Sequence, residues 1–140
     1  YLSMMGRNVL HLGENGNGLV MKLCHNALVA QIQNGVNETM ALAGRAAGID
    51  PLLFAKAISI GGGQNFYLDG KAPAIAKRDF TTAFSVENMD KDIHLAGGLA
   101  RRLGMDLPGV RLAEGRYEQA MEKGLAKQDF SATYQLQEQE

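Results

Sequence analysis

From Leu19 onward the apolar positions Leu19, Leu23, Ala27, Ile32, Val36, Met40, Ala43 and Ala47 recur at helical spacing, and Gly48 follows as a stop. The spacing predicts one helix of about 45 Å at about 1.5 Å per residue. A compact domain of this length has a radius of gyration of only about 14 Å. Such a helix must cross the whole domain, bend at Gly35 or Gly44, or reach into a partner. Ahead of it the period differs. Asn8-Val9-Leu10-His11-Leu12-Gly13 is a short apolar run ending at glycine and predicts the one strand of the chain. Gly13-Glu14-Asn15-Gly16-Asn17-Gly18 then forms a breaker-rich turn.

Beyond Gly48 the punctuation is clear. Asp50-Pro51 opens a helix with an N-cap acid and a proline at its first position, and that helix stops at Gly61-Gly62-Gly63. Asn65 to Phe80 predicts short helical pieces separated by turns. Ser85 caps a helix whose apolar face is Val86, Met89, Ile93, Leu95, Ala96, Leu99 and Leu103. Pro108 opens the next, ending near Gly124, and Asp129 caps a last helix that frays from Gln135 to the C-terminus. The expected fold is all-α, a helical bundle with one long N-terminal helix preceded by a short strand.

Composition narrows the function classes. The chain has 140 residues, enough for one domain with its own core, with 46% hydrophobic and 21% charged residues. A formal net charge of −1 gives no basic surface for a nucleic-acid or membrane partner. No apolar run reaches the roughly 20 residues that span a bilayer. The one cysteine, Cys24, reads as a small core residue in a reducing compartment, and with no targeting signal in these residues a cytoplasmic location is expected. His11, His25 and His94 have no ligand spacing with Cys24, so no metal site is expected. Cys24 and His25 are adjacent, and on a helix their side chains diverge by about 100°, so they do not form a nucleophile pair.

Three features carry candidate chemistry, each with a plain structural alternative. Gly13-x-x-Gly16-x-Gly18 is either a tight strand-to-helix corner or a turn that brings backbone close to a ligand. Lys22 and Asn26, four residues apart, share one helical face at the border of the apolar stripe. They are either a snorkelling edge or the rim of a site. As a site, the pair suits alcohol–carbonyl chemistry. Burial and the positive end of a helix would both ease a lysine into proton transfer, while an asparagine holds the same oxygen without titrating. Phe84 with Lys91-Asp92 is either a core aromatic and a solvated charge pair, or the wall of a cleft.

Taken in order, Gly13-x-x-Gly16-x-Gly18-x-x-x-Lys22-x-x-x-Asn26, Gly70-Lys71-Ala72-Pro73, Asp79-Phe80, Phe84, Lys91-Asp92-Ile93-His94-Leu95-Ala96, Leu107-Pro108 and Gly124-Leu125-Ala126-Lys127-Gln128-Asp129-Phe130-Ser131-Ala132 resemble the β-hydroxyacid dehydrogenase family. That family includes 3-hydroxyisobutyrate dehydrogenase, tartronate semialdehyde reductase and glyoxylate/succinic semialdehyde reductase. The likeness runs from about Asn8 to the end. Lys22-Leu23-Cys24-His25-Asn26 also matches the Lys-x-x-His-Asn string of the neighbouring 6-phosphogluconate dehydrogenase, whose helical domain is longer.

The resemblance implies a 6-phosphogluconate dehydrogenase C-terminal domain-like bundle over residues 16–140. Residues 1–15 would be the tail of an N-terminal Rossmann domain lying upstream of the cut at Tyr1. It implies NAD or NADP as cofactor, a short hydroxyacid or semialdehyde as substrate, and homo-oligomers. Lys22 would be the catalytic acid/base. Gly16, Gly18 and Asn26 would meet the substrate, and Phe84, Lys91 and Asp92 would line the cofactor side. Such a domain alone should be inactive. The competing expectation is a non-catalytic self-association or scaffold module, which would have no reason to keep Lys22.

Overall fold

In a computed structural model, residues 6–138 are described. The stretch Tyr1 to Met4, read as a cut inside a longer chain, lies outside them, as do the last two residues. Six helices follow in order: α1 Asn17–Ala47, α2 Pro51–Ile58, α3 Phe66–Lys77, α4 Val86–Arg102, α5 Pro108–Glu122 and α6 Gln135–Glu138, with a 3₁₀ turn Phe130–Tyr134 before α6.

The helix boundaries have local causes. α1 is 31 residues long and unbroken through Gly35 and Gly44, ending where Gly48 takes a left-handed conformation at φ 66°. Asp50 accepts the Leu52 and Leu53 N–H groups, at 2.9 and 3.0 Å, ahead of Pro51. Ser85 caps α4 through the Asn88 N–H, and Pro108 opens α5.

Two apolar clusters share α1 as their common wall. Its N-terminal half packs Ala27 and Ala30 against Val86, Met89 and Ile93 of α4 and against Ala113, Tyr117 and Ala120 of α5. Its C-terminal half packs Val36 and Met40 against Phe54 of α2 and Tyr67, Leu68, Ala72 and Ile75 of α3. Between them runs a buried polar seam. Gln33 donates to the Phe130 carbonyl at 2.7 Å and to Thr133 Oγ1, and accepts from Tyr117. Asn37 donates to Thr133 Oγ1 at 3.2 Å and accepts from Tyr67 at 3.3 Å. Burial raises both phenol pKa values, so Tyr67 and Tyr117 act as neutral donors.

Four expectations need correction. Asn8 to Leu12 forms no strand among the described residues, and Val9 and Leu10 lie exposed. A strand exists by pairing, and this run meets no second one. Residues 66–77 form one continuous helix, not short pieces: the Asn65 side chain caps it at the Leu68 N–H, and Pro73 removes only one donor inside it. The segment after Tyr134 is helical, with Leu136 and Gln137 buried, so it does not fray from Gln135. Cys24 is exposed, because α1 turns Leu23 and Ala27 inward beside it.

Candidate functional site

The N-terminal end of α1 stands clear of the bundle, with residues 17 to 22 all exposed. Gly16 sits at its N-cap at φ 96°, left-handed and without a side-chain cap. Asn17 instead ties the arriving chain to the helix by donating to the Leu12 carbonyl at 2.9 Å. Gly18 lies in regular helix, where an added Cβ would meet nothing within 4 Å.

One turn further in, α1 meets α4, and three polar side chains converge. Asp92, only 1% exposed, points from α4 toward α1. Asn26 Nδ2 donates to Asp92 Oδ2 at 2.7 Å, and Lys22 Nζ lies 3.3 Å from the same oxygen and 3.5 Å from Oδ1. A carboxylate taken out of water is tolerable only when paired and hydrogen-bonded, and these contacts supply that. Asn26 is fixed from its other side by His25 Nδ1 at 3.2 Å from Oδ1. The Lys22 side chain remains 53% exposed, so its ammonium is tethered at the surface and not enclosed.

Lys91, the neighbour of Asp92 in sequence, points outward as successive helical residues must. Its side chain is 63% exposed and its Nζ stands 4.0 Å from Asp92 Oδ1. Lys22, Asn26, Lys91 and Asp92 therefore form one group. Gly16 and Gly18 lie on the turn of α1 that leads into it. Phe84 stands apart from that group, just ahead of the α4 cap, with its ring edge-on to Phe130 at 6.1 Å.

Phe84 and Asn26 share the wall of an open, mostly apolar cavity of about 460 Å³ between α1, α3 and the turn at Phe130. The same cavity is lined by Lys71, whose Nζ is 2.9 Å from Asp129 Oδ1 and 5.1 Å from the centre of the Phe130 ring. Asp129 itself ties three segments together. Its Oδ2 accepts the Ala83 and Phe84 N–H groups, and its Oδ1 accepts the Ser131 N–H and hydroxyl. Burial pushes its carboxyl pKa up, but the Ser131 and Lys71 hydrogen bonds outweigh burial and hold it below the usual value. Lys71 had no role in the sequence analysis beyond its motif. Its signal was a lysine one residue ahead of the buried Ala72, which helical periodicity does not flag.

A second polar cluster faces the other way. His94 on α4 bonds Glu118 of α5 at 2.9 Å through Nε2 and the Asp90 carbonyl at 2.8 Å through Nδ1. Among the described residues no group of three or more His, Cys, Asp or Glu could hold a metal ion, and no helix is long and apolar enough to cross a membrane.

The chain and its fold resemble known proteins. A family model described as NAD-binding of NADP-dependent 3-hydroxyisobutyrate dehydrogenase matches residues 16–137. A mitochondrial 3-hydroxyisobutyrate dehydrogenase of Drosophila melanogaster is 36% identical over 99% of this chain and 45% of its own length. An NAD-dependent L-serine dehydrogenase of Pseudomonas aeruginosa is 34% identical over 94% of this chain and 46% of its own. The crystallised Mycobacterium tuberculosis 3-hydroxyisobutyrate dehydrogenase with L-serine superposes with a TM-score of 0.86 at 26% identity. That match covers 96% of this chain and 48% of that one. The chain thus spans less than half the length of the relatives it matches. With its helical architecture, and a family match running from Gly16 almost to the C-terminus, the chain belongs to the 3-hydroxyisobutyrate dehydrogenase-like family of NAD-binding oxidoreductases.

Proposed function

We propose that this chain is the C-terminal substrate and assembly half of an NAD(P)-dependent dehydrogenase of short 3-hydroxyacids. Residues 16–140 would be the helical domain and residues 1–15 the join to a nucleotide-binding domain. The observation that carries the reading is the meeting of Lys22, Asn26 and the buried Asp92 within hydrogen-bonding distance on the face of α1 and α4. Two supporting facts are the share of its relatives that the chain covers and the lack of any sheet among the described residues.

Lys22 is the acid/base in this reading. In the reducing direction its ammonium donates a proton to the oxygen forming at the carbonyl carbon; in the oxidising direction the neutral amine, formed once that proton has been lost to water, takes the hydroxyl proton of the substrate. Asn26 holds the same oxygen through its amide, while Asp92 fixes Asn26 and Lys22 without touching substrate. Gly16 and Gly18 put no Cβ at two positions of the turn below Lys22, which leaves their backbone open to substrate. Nicotinamide, when bound, accepts or supplies the hydride. The residues present fit it: Lys91 offers an outward ammonium suited to a phosphate, Phe84 a flat apolar wall, and Asp92 anchors the α4 turn that bears Lys91. Cys24 is a free thiol, in keeping with a reducing compartment.

The test compares two proteins. The natural full-length chain should oxidise NAD(P)H with short semialdehydes, and residues 1–140 alone should not. Turnover by the 140-residue chain above that of its Lys22→Ala variant would refute the division of labour.

A second reading, a self-association or scaffold module, rests on one observation. Val20, Leu23 and Leu28 of α1 face Leu99 and Leu103 of α4 across an apolar groove, with Leu19 and Met21 exposed nearby. Light scattering over a concentration series decides it, since a concentration-independent monomer removes the assembly role.

A further inference from the structure

Asparagine followed by glycine occurs at Asn15-Gly16, Asn17-Gly18 and Asn34-Gly35. Glycine has no side chain to shield its backbone nitrogen, so that nitrogen can approach the amide of the asparagine before it. The fold decides whether it does, and it gives the three pairs different settings. Asn34 lies deep within α1, only 7% exposed, with the Gly35 N–H inside the same helix. Helical backbone holds the asparagine amide carbon away from the next nitrogen, and burial keeps out water. Asn17 is exposed but opens α1, and its amide is held by the bond from Nδ2 to the Leu12 carbonyl at 2.9 Å.

Asn15 has neither restraint. It is exposed in the turn ahead of α1, outside any helix. Among the described residues its amide has no hydrogen-bond partner, and the Gly16 N–H reaches no backbone carbonyl. Gly16 is left-handed at φ 96°, and a Cβ built there meets nothing within 4 Å, so the space around it is open.

We propose that Asn15-Gly16 is a self-modification site, at which Asn15 deamidates ahead of Asn17 and Asn34. The Gly16 nitrogen attacks Asn15 Cγ, and the new C–N bond closes a succinimide ring as the Cγ–Nδ2 bond breaks. The Gly16 N–H proton leaves with Nδ2 as ammonia. Water then opens the ring at either carbonyl, giving an aspartyl or an isoaspartyl linkage and one new carboxylate. Water is the only co-reactant, and nothing is oxidised or reduced. The charge arrives where α1 lacks one, since the helix has no acidic residue in its first turn and no side-chain cap. An anion beside that positive end steadies the turn when the linkage is aspartyl. The dehydrogenase reading gives this same turn to substrate, but the deamidation does not depend on that reading.

The test incubates the natural full-length protein at physiological temperature and mildly alkaline pH, once folded and once unfolded in urea. Tandem mass spectrometry of the tryptic fragments 8–22 and 23–45 then follows each asparagine separately. In the folded protein Asn15 should convert about 3- to 10-fold faster than Asn17, the worth of the bond that holds Asn17. Asn34 should lag by about 10³-fold or more, because it reacts only in rare opened molecules. In urea the three rates should agree within about threefold, since the fold no longer separates them. Asn17 or Asn34 converting as fast as Asn15 in the folded protein overturns the inference. So does an Asn15 that is silent when folded yet reacts in urea. Asn15→Asp should slow hydrogen exchange of the N–H groups of residues 20 to 22 by about 2- to 5-fold, the weight of one anion at a helix N-terminus. Unchanged or quicker exchange overturns the stabilising effect given to the new carboxylate.

Discussion

The Lys22–Asp92 pair should be energetically one-sided, because its partners differ in exposure: the Lys22 side chain is 53% exposed and that of Asp92 only 2%. Lys22→Met strands the buried carboxylate with Asn26 at 2.7 Å and Lys91 at 4.0 Å. Stranding a fully unpaired buried charge costs about 3–5 kcal/mol. The surviving Asn26 bond reduces this to about 1–3 kcal/mol. Asp92→Asn instead releases an ammonium already in contact with water and leaves an oxygen that still accepts from Asn26. That change should cost no more than about 1 kcal/mol. In the double variant no stranded charge remains, so a coupling of about 1–2 kcal/mol is expected, beyond the ~0.5 kcal/mol scatter of independent sites. Urea denaturation of the four proteins gives the cycle. The reasoning fails if Asp92→Asn costs more than Lys22→Met, or if the coupling stays within about 0.5 kcal/mol of zero.

Three further outcomes are expected. Thr133→Val removes the acceptor shared by Gln33 and Asn37 and should cost about 2–3 kcal/mol, read from the urea midpoint. His94 is partly buried, which lowers its pKa, but the Glu118 bond and Asp90 raise it further, so the folded value lies above the unfolded one of about 6.5. Its stabilisation is then complete below about pH 6.5 and lost as pH rises through the folded value. Melting temperatures across pH 5.5 to 8.5 should show this, with His94→Gln flattening the fall; Asp90, Glu114 and Glu118 are the charged groups that face it. Gly16→Ala forces a side chain into a left-handed position at a strain of about 1–2 kcal/mol. Since residues 17 to 22 are exposed, hydrogen exchange should quicken there while the melting temperature of the bundle barely moves.

Much of the fold was legible because its boundaries are local. Asp50-Pro51, Ser85, Pro108 and Gly48 act through their own side chains or backbone freedom, and each stands where a helix begins or ends. The failures are long-range. Asn8 to Leu12 has a strand's pattern, but a pattern does not supply the neighbour that a ladder requires. Gln33 and Asn37 were invisible, since an apolar count scores a buried amide as a solvated one. Their partners Thr133, Tyr67 and Tyr117 come from α3, α5 and the turn before α6. At the site, the i, i+4 spacing alone puts Lys22 and Asn26 on one face. Nothing in Lys91-Asp92 told which of the two turns inward, because that depends on how α4 is rotated against α1. Lys71 was hidden for the same reason, its partner Asp129 lying 58 positions along the chain.

The most direct measurement is kcat/KM of the natural full-length enzyme and its Lys22→Ala variant with 3-hydroxyisobutyrate and NAD(P)⁺, at matched folded fraction. Loss of a general acid/base predicts a fall of about 10²- to 10⁴-fold. A Lys22→Ala enzyme that folds and keeps activity within about tenfold of the parent would contradict the role assigned to Lys22.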